Sequence, residues 1–257
     1  MRKKLIGLIC VLTSLESFAN FPSLDNVLYQ PFKTNSDIYF ELESKELTSL
    51  INTKLLLNLN ENTNWKIFKL GMDEAVDLQN LKIDNSRVLA TIAQNILAKG
   101  SFVWADSLTD YLSDFKFIEK KDDVYFYEPL KTGTDIIELK ISFSMGELTI
   151  EIDREFESEK HKYAYNKTSW SDNKFVLTTI LTEIKKGTTL INTTTSINYY
   201  KVGKKLWLPM EVNVVTDETS SAKTVGKVER SLSETYRFTN YKIDQKIANG
   251  WFNSHKK

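Results

Sequence analysis

Apolar and polar residues alternate with a period of two over most of this chain, and the period shifts to about 3.6 in one place. The most regular stretch is Ile197–Val215, where two β-rich runs flank Gly203-Lys204-Lys205. That arrangement predicts an antiparallel hairpin. In its second run Leu206, Leu208, Met210, Val212 and Val214 share one side, because successive strand side chains point to opposite faces. Trp207, Pro209, Glu211, Asn213 and Val215 take the other side, and Pro209 suits an edge, an end or a bulge, because it lacks an N–H for the ladder.

Earlier in the chain, Asp37–Glu43 alternates cleanly, with Ile38, Phe40 and Leu42 opposite Tyr39, Glu41 and Glu43. Thr53–Leu59 and Trp65–Leu70 are further strand candidates around a turn-like Asn60–Asn64, while Leu47, Leu50 and Ile51 fit a helix start equally well. Residues 84–100 carry the helical period. Leu89, Ile92, Ala93, Ile96 and Leu97 make one apolar stripe, Asp84, Asn85 or Ser86 can cap its start, and Gly100 suits the position just past its end. Ser107-x-x-Asp110 resembles a capping box for a short second helix with Leu108, Tyr111 and Leu112, and the Phe102-Val103-Trp104 cluster between the two must bury.

From Phe115 onward strands dominate. Phe115–Glu119 pairs naturally with Val124–Glu128, and Asp135–Phe143 with Glu147–Phe156. Tyr163–Trp170, Phe175–Ile184, Thr189–Val202, Leu206–Val215 and Val228–Ile243 follow, joined by short polar turns as in an antiparallel meander. Phe175–Ile184 is apolar on both sides, which predicts a central strand covered on each face. The tail Lys246–Lys257 is polar with an amphipathic start.

The first residues read as an export signal. Met1-Arg2-Lys3-Lys4 is basic, Leu5–Leu12 is apolar, and Ser17-Phe18-Ala19 puts small residues at the two positions a signal peptidase reads. The apolar core is shorter than the roughly 20 residues that span a bilayer. Cleavage after Ala19 leaves 20–257 as a single expected domain in the periplasm, exported through the Sec pathway. Cys10 fits a lipoprotein signal poorly, since Leu8 and Ile9 precede it where small residues are needed. Losing Arg2, Lys3, Lys4 and Glu16 turns 34 basic and 34 acidic residues into 31 and 33. A near-neutral, mixed surface gives no electrostatic footprint for nucleic acid. The only cysteine leaves with the signal, which excludes disulfides and thiol chemistry.

Candidate chemistry is sparse. Of two histidines, His161 sits in the charged run Glu159–Lys162, read as a solvated connection, and His255 lies in the tail. No His, Cys or carboxylate spacing suggests a metal site. Glu147, Glu151, Asp153 and Glu155 share one side of a predicted strand. Paired carboxylates can run glycoside hydrolysis, but like charges two apart on a strand more simply mark a solvent-facing side. Glycine-rich phosphate cradles and the nucleophile-elbow pattern are absent from the sequence. Asn166-Lys-Thr and Asn192-Thr-Thr match glycosylation acceptors, short patterns that recur by chance.

The segments Trp104–Tyr127, Tyr199–Pro209 and Tyr236–Ile243 (YRFTNYKI), together with the leader and the helical interruption, resemble the LolA/LolB-like superfamily of periplasmic lipoprotein carriers. That resemblance implies an α+β fold, a strongly curved antiparallel β-sheet forming an unclosed barrel and covered by helices. It implies non-enzymatic binding of a lipid acyl chain or lipidated protein in the concave side of the sheet. Leu89, Ile92, Ile96, Trp104, Leu206, Leu208 and Met210 are the expected pocket and lid, with the helix stripe lying opposite the Leu206–Met210 face. The family's lid-holding arginine maps onto none of Arg87, Arg154, Arg230 or Arg237. No catalytic residue, metal or cofactor is expected. A lipid or lipoprotein is the expected partner, with transient membrane-protein contact. The alternative is an envelope structural or protein-interaction module whose core is filled. The residues taken alone favour that plain core.

Overall fold

The computed structural model describes residues 28–29, 37–71, 73–78, 81–83, 85–100, 112–202, 206–222 and 226–255. Twelve strands are joined in the order β3-β2-β1-β12-β11-β10-β9-β8-β7-β6-β5-β4. They are β1 (Asp37–Glu43), β2 (Asn64–Leu70), β3 (Asp73–Asp77), β4 (Phe115–Lys121), β5 (Val124–Pro129), β6 (Ile136–Ser144), β7 (Glu147–Arg154), β8 (Glu157–Lys167), β9 (Phe175–Lys186), β10 (Thr189–Val202), β11 (Leu206–Ala222) and β12 (Gly226–Ile243). Chain neighbours are sheet neighbours almost throughout. The exception is the pair β3 and β4, which stand at the two ends of the order, and the one pairing of strands not consecutive in the chain is β1 with β12.

The helices are α1 (Lys45–Leu55), α2 (Ser86–Gly100) and α3 (Ile247–Ser254), of 11, 15 and 8 residues. This corrects the expected α+β architecture. Among the described residues the protein is mostly antiparallel sheet, its end strands β3 and β4 do not pair to close a barrel, and the three short helices do not cover twelve strands. The physical reason lies in the outer positions of strands such as β7 and β8, which are charged and pair with one another. A sheet face of that kind stands in water without a helical cover.

The chain forms two compact units. One comprises Gln30–Ala105, Thr194–Thr216 and Ser231–Lys257. In it β1 is buried on both sides: Ile38, Phe40 and Leu42 are wholly inaccessible, and Tyr39 nearly so. Tyr39 and Phe68 pack with Ala248 of α3, and Trp251 stacks on Phe68 at 5.0 Å between ring centres. Asp37 fixes α3 in place. Its carboxylate accepts hydrogen bonds from the amides of Ala248 and Asn249, each at 3.0 Å, at a helix start whose own Lys246 provides no side-chain cap. The backbones of Asp37 and Asp244 are clasped as well, by Asp244 N–H on the Asp37 carbonyl at 2.7 Å.

The Glu41 carboxylate joins β1 to both neighbours, accepting from Tyr39 at 2.5 Å, Asn64 of β2 at 2.6 Å and Asn240 of β12 at 2.7 Å. Burial pushes its pKa up, and these hydrogen bonds outweigh that and hold it below the ordinary glutamate value.

Of the two readings open for this stretch, the helix start at Leu47, Leu50 and Ile51 is the one found. Residues 56–59 of the expected Thr53–Leu59 strand form no strand, and 53–55 belong to α1. Ser44 caps it, its hydroxyl accepting from Leu47 N–H at 3.2 Å, and Leu56 ends it in the left-handed conformation. Helix α2 forms where its stripe predicts, capped by Asn85. Ile92 and Ile96 are completely buried, and the helix packs against β2, β3 and α1. The expected second helix at 107–112 lies almost wholly outside the described residues.

The other unit comprises Asp106–Thr193 and Asp217–Arg230 with Leu28 and Tyr29. Its core is Phe115, Tyr125, Tyr127, Leu139, Ile141, Leu148, Ile150 and Ile152, edged by half-buried Phe117, Phe143, Tyr163 and Tyr165. β9 lies between β8 and β10, as a central strand should. However, Val176 is its only buried residue, so the expected cover on both faces is not found.

Two substitutions check this packing. Asp37→Ala strands two amides at the start of α3 and should cost about 1–3 kcal/mol by denaturant unfolding. Ile92→Ala leaves a cavity under α2 and should cost about 2–5 kcal/mol in the same measurement.

Candidate functional site

Six of the seven residues singled out from the sequence are described, and their exposure differs among them. Ile92, Ile96 and Leu208 are fully buried core, and Leu89 and Leu206 are half-buried. Met210 is 45% exposed, which breaks the apolar face it was expected to share with Leu208, Val212 and Val214. Trp104 lies outside the described residues.

The acidic strand resolves differently. On β7, Leu148, Ile150 and Ile152 point into the core while Glu147, Glu151 and Asp153 point away. Each of these carboxylates meets a lysine: Glu147 with Lys162 at 3.3 Å, Glu151 with Lys160, and Asp153 with Lys140 at 2.9 Å. They form a cross-strand ladder of ion pairs on an outer face, and no two of them are set about a common substrate.

The opposite face holds the arrangement of interest. Register pairs Ile152 with Glu159 and Ile184, Ile150 with His161 and Thr182, and Leu148 with Tyr163 and Ile180. Residues directly opposite in antiparallel strands project to the same side. Glu159, His161 and Thr182 are therefore inlaid in an apolar face, between isoleucines on both sides. His161 is not in a solvated connection as its neighbours suggested. It sits within β8, with its side chain 21% exposed and both ring nitrogens engaged.

The contacts define the network. His161 Nε2 lies 3.2 Å from Glu159 Oε2, and Nδ1 lies 3.1 Å from Thr182 Oγ1. A carboxylate only accepts, so a neutral ring carries its proton on Nε2 and takes the Thr182 hydroxyl proton at Nδ1. Arg154, on the same face of β7, donates through Nε to Glu159 Oε1 at 2.7 Å and through Nη1 to Asp135 at 2.8 Å. Burial alone would raise the pKa of Glu159, but the hydrogen bonds from Arg154 and His161 and their charges bring it below the ordinary value.

A hydroxyl, an imidazole and a carboxylate in series resemble the parts of a nucleophile–base–orienter set. The backbone around them does not complete it. β8 is paired with β7 and β9, and β9 with β8 and β10, so the amides beside Thr182 are committed to the ladder and not aimed at an oxyanion. What the cluster offers is hydrogen bonding: a carboxylate that accepts, a hydroxyl and an imidazole held between them.

These residues were hidden by the charged run Glu157–Lys162. Its alternation was the signal available: Lys160 and Lys162 on one side, Glu159, His161, Tyr163 and Tyr165 on the other. Among the described residues, no group of three or more His, Cys, Asp or Glu is placed to hold a metal ion. No helix among them is long and apolar enough to cross a membrane.

The lowered pKa of Glu159 makes a signed prediction. A carboxyl depressed in the folded state stabilises the fold above its unfolded pKa, near 4.3, and this contribution is lost as pH falls through the folded value. Glu159→Gln should therefore be less stable than the parent at neutral pH, and the gap should close in acid. Urea unfolding across that range checks it; a gap independent of pH would contradict the assignment.

Comparison of the chain with protein-family models, with curated proteins and with solved structures found no match to any of them.

Proposed function

We propose that this protein is a periplasmic, non-enzymatic binder of a lipid acyl chain or a lipidated protein, in the manner of the LolA/LolB-like carriers its sequence resembles. The single observation that carries this reading is the face shared by β6, β7, β8 and β9. Its buried row Leu139, Ile141, Leu148, Ile150 and Ile152 continues into Tyr163, Ile180 and Ile184, which remain only half-buried. Apolar area left accessible beside a core is area a ligand can cover, at about 25 cal/mol per Å². Four strands spaced about 4.8 Å apart give such a ligand a strip to lie along. The polar inlay interrupts the strip where an amphiphile would need to place its head. Pockets that fix a ligand commonly combine an apolar lining with a few placed polar groups.

The site proposed from this geometry therefore differs from the seven residues expected at first. Ile92 and Ile96 serve as packing, and the ligand belongs against β6–β9. The order of leader residues, Met1-Arg2-Lys3-Lys4 before Leu5–Leu12, supports export.

Native mass spectrometry and titration with a fluorescent fatty acyl probe test the reading. The parent protein should bind the probe, and Ile180→Asp should weaken binding by about tenfold or more, since a charge on the strip must be desolvated. The outer-face variant Glu151→Gln should bind as the parent does. Absence of binding by the correctly folded parent would leave the filled-core structural or interaction module as the function.

A further inference from the structure

We infer that the part of β12 extending beyond β1 is an edge through which two copies of this chain pair, antiparallel and about a two-fold axis at Leu232. The inference goes beyond ligand binding and stands whether or not a lipid is carried.

β12 runs from Gly226 to Ile243, but β1 pairs with it only from Arg237 onward, because β1 ends at Glu43, opposite Arg237. Ser44 then leads the chain into α1, and Glu46 of that helix accepts the Thr235 N–H at 3.4 Å. Among the described residues no other strand lies on this side, since the sheet neighbours of β12 are β1 and β11. Side chains are bare on both faces of the run. Ser231 and Ser233 are exposed on one, and Leu232 is 57% exposed on the other. Backbone groups of successive strand residues face opposite neighbours, so Ser231 and Ser233 present theirs to the same open side as Thr235.

The sequence of this edge is complementary to its own reverse. Arg230-Ser231-Leu232-Ser233-Glu234 is symmetric about Leu232 except that its ends carry opposite charges. A two-fold axis there sets Arg230 of each protomer opposite Glu234 of its partner, an attractive cross-strand contact made twice. Ser231 and Ser233 of the two protomers then exchange backbone hydrogen bonds, and Leu232 meets its own copy as the closer, non-hydrogen-bonded pair. Other registers are worse. Moving the axis by one residue puts Leu232 opposite Arg230 or Glu234, and moving it by two puts Arg230 or Glu234 opposite itself. Glu234 shares a hydrogen bond with Tyr236 on its own side of the strand, and a carboxylate has further acceptor sites for a guanidinium. A pairing this short falls below the roughly 1,200 Å² of standard interfaces, which makes the dimer weak and concentration-dependent.

Charge reversal tests the pairing, read by sedimentation velocity over a range of protein concentrations. The parent should show a dimer that grows with concentration. Arg230→Glu and Glu234→Arg should each weaken it by about tenfold or more, since both contacts become like-charged. An equimolar mixture of the two variants should dimerise again, because every contact between them joins opposite charges. Both positions tolerate a polar replacement, and circular dichroism checks the fold. Should either variant fail to fold, crosslinking replaces it. In a Cys10→Ser background Leu232→Cys carries the sole thiol, about 4.5 Å between Cα atoms from its copy and within disulfide reach. It should oxidise to a covalent dimer faster than Met145→Cys, whose position is fully exposed on the β6–β7 turn. A parent that stays monomeric, a mixture that does not dimerise, or equal crosslinking at the two positions would overturn the inference.

Discussion

The pairing of the first and last strands is the constraint on which this fold depends. β1 and β12 are neighbours in the sheet although Ile38 and its partner Ile243 stand at opposite ends of the described chain. Bringing such distant segments together costs loop-closure entropy before any contact compensates it. The structure concentrates strong interactions at this one seam. Three interactions converge on β1: the buried Asp37 carboxylate at the start of α3, the Glu41 carboxylate between β2 and β12, and ring packing of Phe40 with Phe238 and Tyr241. Every other strand connection in the sheet is local, so this seam sets the folding rate through its contact order.

Within the β4–β9 unit the two faces of one sheet follow opposite rules. The outer face resolves its charges locally, each β7 carboxylate meeting a lysine one strand away, with exposure that makes each pair worth little to stability. The inner face places charge among isoleucines, where a carboxylate is tolerated only because Arg154 and His161 hold it. Such a group is costly for folding alone and useful for recognition. That contrast is why attention moves from the conspicuous acidic strand to its quieter neighbour.

Much of the strand pattern was legible because half-buried strands write their orientation as alternation, as in Asp37–Glu43 and Glu147–Arg154. Helix α2 was legible because its stripe and cap agree. Two elements were not. The end of α1 runs into Thr53-Lys54-Leu55-Leu56-Leu57, a strand-like composition, so helix and strand both stood open there, and the helix is decided by the Ser44 cap and by the burial of Leu47 and Ile51. β8 begins with Glu157-Ser158-Glu159-Lys160, which has no apolar residue to announce a strand. Its conformation is imposed by ladder bonds to β7 and β9 on either side. The candidate site was illegible for the same reason. Which side of the sheet His161 and Glu159 occupy is a property of register, and register is a relation between strands that no single strand encodes. The helical cover was expected from resemblance to carriers, whereas the outer faces here are polar enough to do without one.

β4, an end strand of the sheet, has a bearing on how this protein meets others. Phe115–Lys121 pairs with β5 and carries Lys116, Lys120 and Lys121, all exposed, with an irregularity in register between Phe117 and Glu119. Lysines and bulges on a short end strand are the means by which proteins discourage another chain from extending their sheet. On β4 these features disfavour growth of the sheet by backbone pairing along that edge. What the edge then presents to a neighbour is side chains, which discriminate between partners in a way that backbone hydrogen bonds cannot.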